Sequence, residues 1–351
     1  RNNTAPRGGG IYSEGGRPML IDCTISANRA EVGSGGGFRC LSATPRMSAC
    51  TFSGNSTPRF GGGLYSNNSN LISNDCIFTG NNANWGAGWA EHNSSAVLTG
   101  CEFRNNTANF NGGGYFNDRN PARGFNGPTM EDCTFEGNQA GWNGGGILAF
   151  FAAVNLTTCT FSGNSAGQTG GGVSNFNAPA NCNECVFTGN NASLGGGWYD
   201  IDSSQGDGPQ NNTRITGCEF QENVARSRGG GFYCLSETGT SKPVLGNCSF
   251  SNNRAVTSGG GLEASDSEPT LSGCTFTENS AQFGGGVTSM RSSPLSVNCR
   301  FTQNTATRGG AWLNFDSSTT LRGCEFLNNT ATETDRDPAP GGAIGNWRED
   351  S

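Results

Sequence analysis

The chain has 351 residues, a formal net charge of −7 and 33% hydrophobic residues, with 57 glycines and 15 cysteines. Its acidic balance excludes a nucleic-acid binder, which needs a basic stripe. No apolar run approaches the ~18 residues of a membrane-spanning helix. Composition does not break anywhere along the chain, so residues 1–351 read as one continuous domain.

Taken from the first residue onward, the sequence is one unit repeated. A cysteine opens each copy, at Cys23, Cys50, Cys76, Cys101, Cys133, Cys159, Cys185, Cys218, Cys248, Cys274, Cys299 and Cys324. Two residues later stands Phe in every copy but the first, where Ile25 takes the place. Three further on is always Asn, from Asn28 to Asn329, and two beyond that Ala, except for Thr57. A glycine block follows, usually a triplet, and the next residue is apolar or aromatic every time, as in Leu64, Trp89 and Val173. A further apolar residue lies three before most of the cysteines, for example Leu20, Met47 and Leu98.

Cys and Phe two apart share a face of a strand, because side chains alternate. The residue after the glycines starts a second strand. Short strands separated by Gly- and Asn-rich corners at a period of about 25 cannot each bury a core, but they can when stacked. With no 3.6-residue period, the pattern predicts an all-β parallel β-helix of about 12–13 coils, with about 25–26 residues in each. The glycines are expected to supply positive φ and close approach at a corner, and the asparagines to form a ladder.

These signatures resemble a known family. F-x-x-N, with the literal G-G-A-I at Gly341, Gly342, Ala343 and Ile344, is similar to the polymorphic outer-membrane protein repeat and, more broadly, to pectate-lyase-like right-handed β-helices. The resemblance implies a right-handed coil and an extracellular or cell-surface protein with a structural or adhesive role. A carboxy-terminal membrane-barrel segment is not in the sequence, and the usual triplet here is G-G-G.

From the last triplet residue to the next Cys the offset is constant except after Gly114, Gly197 and Gly231. Insertions are therefore expected near 117–128, 199–213 and 235–243, with a corner loop at 332–340. The insertions carry Asp118, Arg119 and Arg123, then Asp200, Asp202 and Asp207, then Glu237 and Lys242. Emerging from one corner, they read either as ordinary polar loops, as a binding patch, or as a glycan-active site of the kind built from paired carboxylates. Phe60, Trp85, Phe110 and Trp142 follow the ladder Asn by four or five residues in consecutive coils, and Phe283 recurs later. They either seal a core corner or form an exposed ridge for sugar rings or a neighbouring chain.

The lone His92 offers no metal pair, and no nucleophile or phosphate-loop motif is present. The chain reads as a non-enzyme without cofactor or metal. Cys182 and Cys185 spell C-x-x-C, but Cys182 occupies the Leu/Met position of the repeat and reads as core. Glycosylation sequons stand at Asn2, Asn67, Asn93, Asn105, Asn155, Asn191, Asn211, Asn247 and Asn328; that at Asn55 falls on a ladder Asn, which burial protects. Without an initiating Met or signal peptide, the chain reads as a mature product or part of a longer protein. Expected partners are other copies, joined end to end into a filament through open strand edges, and glycans.

Overall fold

A computed structural model describes residues 1–119, 126–202, 212–238, 241–333 and 341–347. The described residues are strands and corners without helix, coiled as a right-handed parallel β-solenoid of about 12 turns. Contacts divide the chain into two compact units, Arg1–Ser174 and Asn175–Ser351, each a stack of the same coil.

Each coil has four sides. A four-residue strand follows the glycines, as in Leu64–Asn67. A three-residue strand carries the Leu/Met row, as in Val97–Thr99. A third strand carries the Phe, as in Thr51–Ser53, and the last, short strand holds the Ala, as in Asn82–Trp85. Neighbouring coils pair in parallel and in register, so that Leu64 lies beside Trp89 and Trp89 beside Tyr115. Register turns each repeat position into a column.

The Phe column is buried except at Phe326, which is half-buried. Phe52, Phe78, Phe103, Phe135 and Phe161 stack in the first unit, with centroids 4.7–4.9 Å apart and ring planes within 7° of parallel. Phe187 to Phe326 repeat this in the second unit. The separation is the interstrand spacing itself, and each buried ring contributes about 1.5–3 kcal/mol. Cys lies not in the Phe strand but on the bend before it, behind a left-handed residue such as Ala49 (φ 50°) or Asp75 (φ 53°). It still points inward: Cys50, Cys76 and Cys101 are 0% exposed.

The Asn column is closed in its hydrogen bonding. In Asn106, the backbone N–H and Nδ2 both donate to Oδ1 of Asn138, at 3.1 and 2.9 Å. The other Nδ2 proton goes back to the carbonyl of Phe78, at 2.8 Å. The same three bonds recur up the column, so a turn with no access to water is satisfied by the next turn. Thr57, standing in for Ala, also finds a partner, donating to the carbonyl of Gly33.

The glycines divide their work. Gly61, first in its triplet, has φ of 70°. Gly62 and Gly63 do not need positive φ; a Cβ there would lie 2.6 and 2.5 Å from the carbonyl oxygens of Ala87 and Gly88 in the adjacent coil. The other corners obtain their left-handed residue from varied side chains, such as Asn68, Asp75 and Arg291.

Polar groups also lie inside. Glu91, 0% exposed, accepts from the Tyr115 hydroxyl and from Nδ2 of Asn117, at 2.7 Å for the latter. Burial pushes its carboxyl up to about 7, with both hydrogen bonds opposing the shift.

Two outcomes follow for stability. Asn138→Ala strands two donors on Asn106 and the carbonyl of Phe103, at about 1–3 kcal/mol for each buried group; urea unfolding should show a loss of at least about 3 kcal/mol, against less than about 1 kcal/mol for Asn3→Ala at the exposed end of the column. Glu91 in the folded chain keeps its proton up to about pH 7, whereas the unfolded chain releases it near 4.5. Stability should therefore fall as pH rises through that window, by on the order of 3 kcal/mol, and Glu91→Gln should flatten the fall in a urea-midpoint series.

Candidate functional site

Alternation within the post-glycine strand turns Leu64 and Ser66 inward, Ser66 accepting from Nε1 of Trp89, and Tyr65 and Asn67 outward. The outward second position would be expected to meet solvent. Beyond the first two coils, where Tyr12 is 49% exposed and Arg39 half-buried, it does not in several coils: Tyr65 is 8% exposed, Phe116 7%, Tyr233 4% and Leu313 4%. In the first unit its cover comes from the corner before the glycines, where the ring of Phe60 lies 5.9 Å from Tyr65 and 6.1 Å from Phe116. This sheet therefore has an outer face that is a walled trough.

The aromatic stripe is that wall. Phe60 stacks on Trp85 at 4.8 Å, Trp85 meets Phe110 at 5.1 Å, and Phe110 meets Trp142 at 4.5 Å. The four do not occupy one column of the backbone. Phe60 pairs with Trp85, but Trp85 pairs with Asn111, because a bulge shifts the register. The rings differ in exposure: Phe60 covers Tyr65 and Phe116 on the outer face of the sheet, while Trp142 is 45% exposed.

In the second unit the same face holds a cavity of about 230 Å³, lined by Arg228, Ser258, Phe283, Met290, Phe315 and Trp347, among others. Glu263, 0% exposed, accepts from Oγ of Ser258 and, at 3.1 Å, from Oγ of Ser265, with Nη1 of Arg228 at 3.6 Å. Burial raises its carboxyl above the usual carboxylate range, opposed by Ser258 and Arg228. Arg308 stacks on Trp347 at 3.7 Å and pairs with Glu333. In the first unit the trough ends in a pocket of about 360 Å³ containing Arg7, Arg39, Arg59, Phe60 and Tyr65.

The inserted loops turn out differently from the expected patch. Asp200 is not on the surface: it is the third residue of Trp198–Ile201, points inward, is 0% exposed, and accepts from Nδ2 of Asn175 at 2.7 Å and from Oγ1 of Thr213 at 3.1 Å. Asp202 is a brace, accepting from Oγ of Ser236 and the backbone N–H of Glu237, both at 3.0 Å. Second and third insertions thus meet, as their adjacency predicts, but through structural bonds. Lys242 pairs with Glu268 at 2.9 Å, on the surface. Asp118 meets Nδ1 of His92 at 3.2 Å, so the histidine is not isolated. Arg123, Asp207 and Asn211 lie outside the described residues.

Of the sequons, Asn2, Asn105, Asn247 and Asn328 are exposed, and Asn67, Asn93, Asn155 and Asn191 are half-buried. Asn55 is 0% exposed, as a ladder residue must be. No disulfide joins any of the 15 cysteines. The sulfurs of Cys182, Cys185 and Cys218 lie within 4.8 Å of one another, all buried. Cys40 and Cys234 hold the same inward strand position in their coils and contact the hydroxyls of Ser69 and Ser267.

The described residues contain no helix long and apolar enough to cross a membrane. Comparison with protein families matches residues 132–149 to the Chlamydia polymorphic membrane protein repeat. Searches of curated proteins and of solved structures return no significant match. The right handed beta helix region matches over residues 1–121 and 180–347, and the chain belongs to that family.

Proposed function

We propose that this protein is an extracellular, non-enzymatic surface scaffold of adhesive type, whose rigid coils present the ridge Phe60–Trp85–Phe110–Trp142 to carbohydrate. The polymorphic membrane protein repeat fits a surface scaffold. The observation that supports the adhesive part is Trp142, packed against Phe110 on one side and left 45% exposed. Ridge members lean on each other, and Phe60 leans on the trough floor, so their rings are held in place before a ligand arrives. Aromatic surface of this kind takes up the apolar C–H faces of sugar rings at little entropic cost.

A glycan array probed with the labelled native protein tests the reading. Retention of particular neutral glycans, weakened about tenfold or more in Phe110→Ala/Trp142→Ala, is expected; tenfold corresponds to about 1.4 kcal/mol, within reach of one lost stacking contact. A double variant that folds and binds like the native protein would sink it. Light scattering on the same samples reads self-association, which this scaffold reading includes.

A further inference from the structure

We infer that the pocket formed by Arg7, Arg39 and Arg59 is a binding site for an anionic sugar residue, one carrying a carboxylate or a sulfate. Three guanidinium-bearing side chains from successive coils line one cavity of about 360 Å³. The whole chain holds only 21 basic residues against 28 acidic ones, so gathering three cations runs against its overall charge. Several basic side chains elsewhere meet carboxylates, Arg104 with Glu102, Arg291 with Asp266 and Arg300 with Glu325, and the pocket that holds Arg17 and Arg46 gathers two guanidinium groups rather than three. No carboxylate lines this cavity, and none of its three arginines has an ion pair among the described residues.

Arg39 is the sharpest sign. It stands at the outward second position of Phe38–Leu41, its guanidinium 5.3 Å over the ring of Tyr65. Its Nε is buried and without a hydrogen-bond partner. A buried donor left unpaired is costly, and an oxyanion in the cavity would satisfy it. Arginine's planar fork suits a carboxylate or sulfate bidentately. Phe60 and Tyr65, 5.9 Å apart, add apolar surface for the sugar ring. The volume falls at the small end of the roughly 300–1,000 Å³ typical of ligand pockets, suited to one sugar unit rather than a long chain segment.

The site is distinct from the exposed end of the ridge at Trp142, so the two readings can fail separately. Calorimetric titration of the full chain with three hexasaccharides provides the test: one bearing glucuronate only, one bearing sulfate only, and neutral cellohexaose. Binding of either or both acidic probes, weakened by added salt, is expected, and the pattern tells which anion fits. Arg39→Gln should reduce that binding about tenfold or more, as loss of a charge-assisted hydrogen bond does. Arg59→Gln, at an exposed position, should do the same without disturbing the fold, and both arginine variants should lower acidic-probe binding equally in the Phe110→Ala/Trp142→Ala background, where the ridge is removed. Absence of acidic-probe binding, a loss of cellohexaose binding in the arginine variants equal to their loss of acidic-probe binding, or native-like binding by both folded arginine variants would overturn the assignment.

Discussion

Parallel, in-register pairing at a single interstrand spacing is the constraint on which the rest of this structure depends. It stacks each residue on its counterpart, so a side chain succeeds here only if it can satisfy a copy of itself. Asn does so completely: its oxygen takes two protons from one neighbour while its own protons go to the next Asn and to a Phe carbonyl. Phe does so by stacking its rings at that same spacing. The second and third glycines answer to the same geometry, since the adjacent coil's carbonyl crowds the place of a Cβ, and the only side chain that replaces them there is the methyl of Ala87, Ala311 and Ala343. Asn, Phe and Gly are three answers to one geometry.

Because the interior is so repetitive, individuality is pushed to the outer face of the post-glycine sheet. Its second position is filled by Arg39, Tyr65, Phe116, Tyr233, Glu263 and Leu313 in different coils, and the corner beside it varies from Phe60 to Arg228 to Phe283. Each combination makes a different local surface on the same backbone. A basic pocket forms where Arg39 meets Arg59, and an apolar cavity where Phe283 meets Phe315 and Trp347. This is how a repeat scaffold carries several surfaces without altering its core.

The architecture was legible because columns are periodic, and periodicity is what a sequence displays most openly. Cys–Phe–Asn–Ala and the glycines predict the coil, its buried columns and the protection of Asn55. The surface was less legible, for reasons that differ by residue. Asp200 reads as a loop residue when counted from the insertion, yet strand parity from the inward Trp198 puts it inside; that signal was present. Phe110 and Trp142 seem to share a position with Phe60 and Trp85 when counted from the ladder Asn, but counted to the glycine block they stand one residue further back, and that shift is the bulge of the fold. Arg7, Arg39 and Arg59 sit at three different repeat positions in three coils. A search for period averages such residues away, and only the folded coil brings them together.

The asparagine turns are sealed by the coils above and below them. Native-state hydrogen exchange resolved to single amides measures this directly. Turn amides of Asn81, Asn106 and Asn138 donate to side-chain oxygens rather than to a β-ladder. Sealed turns should exchange these amides as slowly as the neighbouring strand amides, through global opening alone. Exchange of these amides at the rate of exposed corner residues would contradict it, and would mean that the column does not hold the coils together.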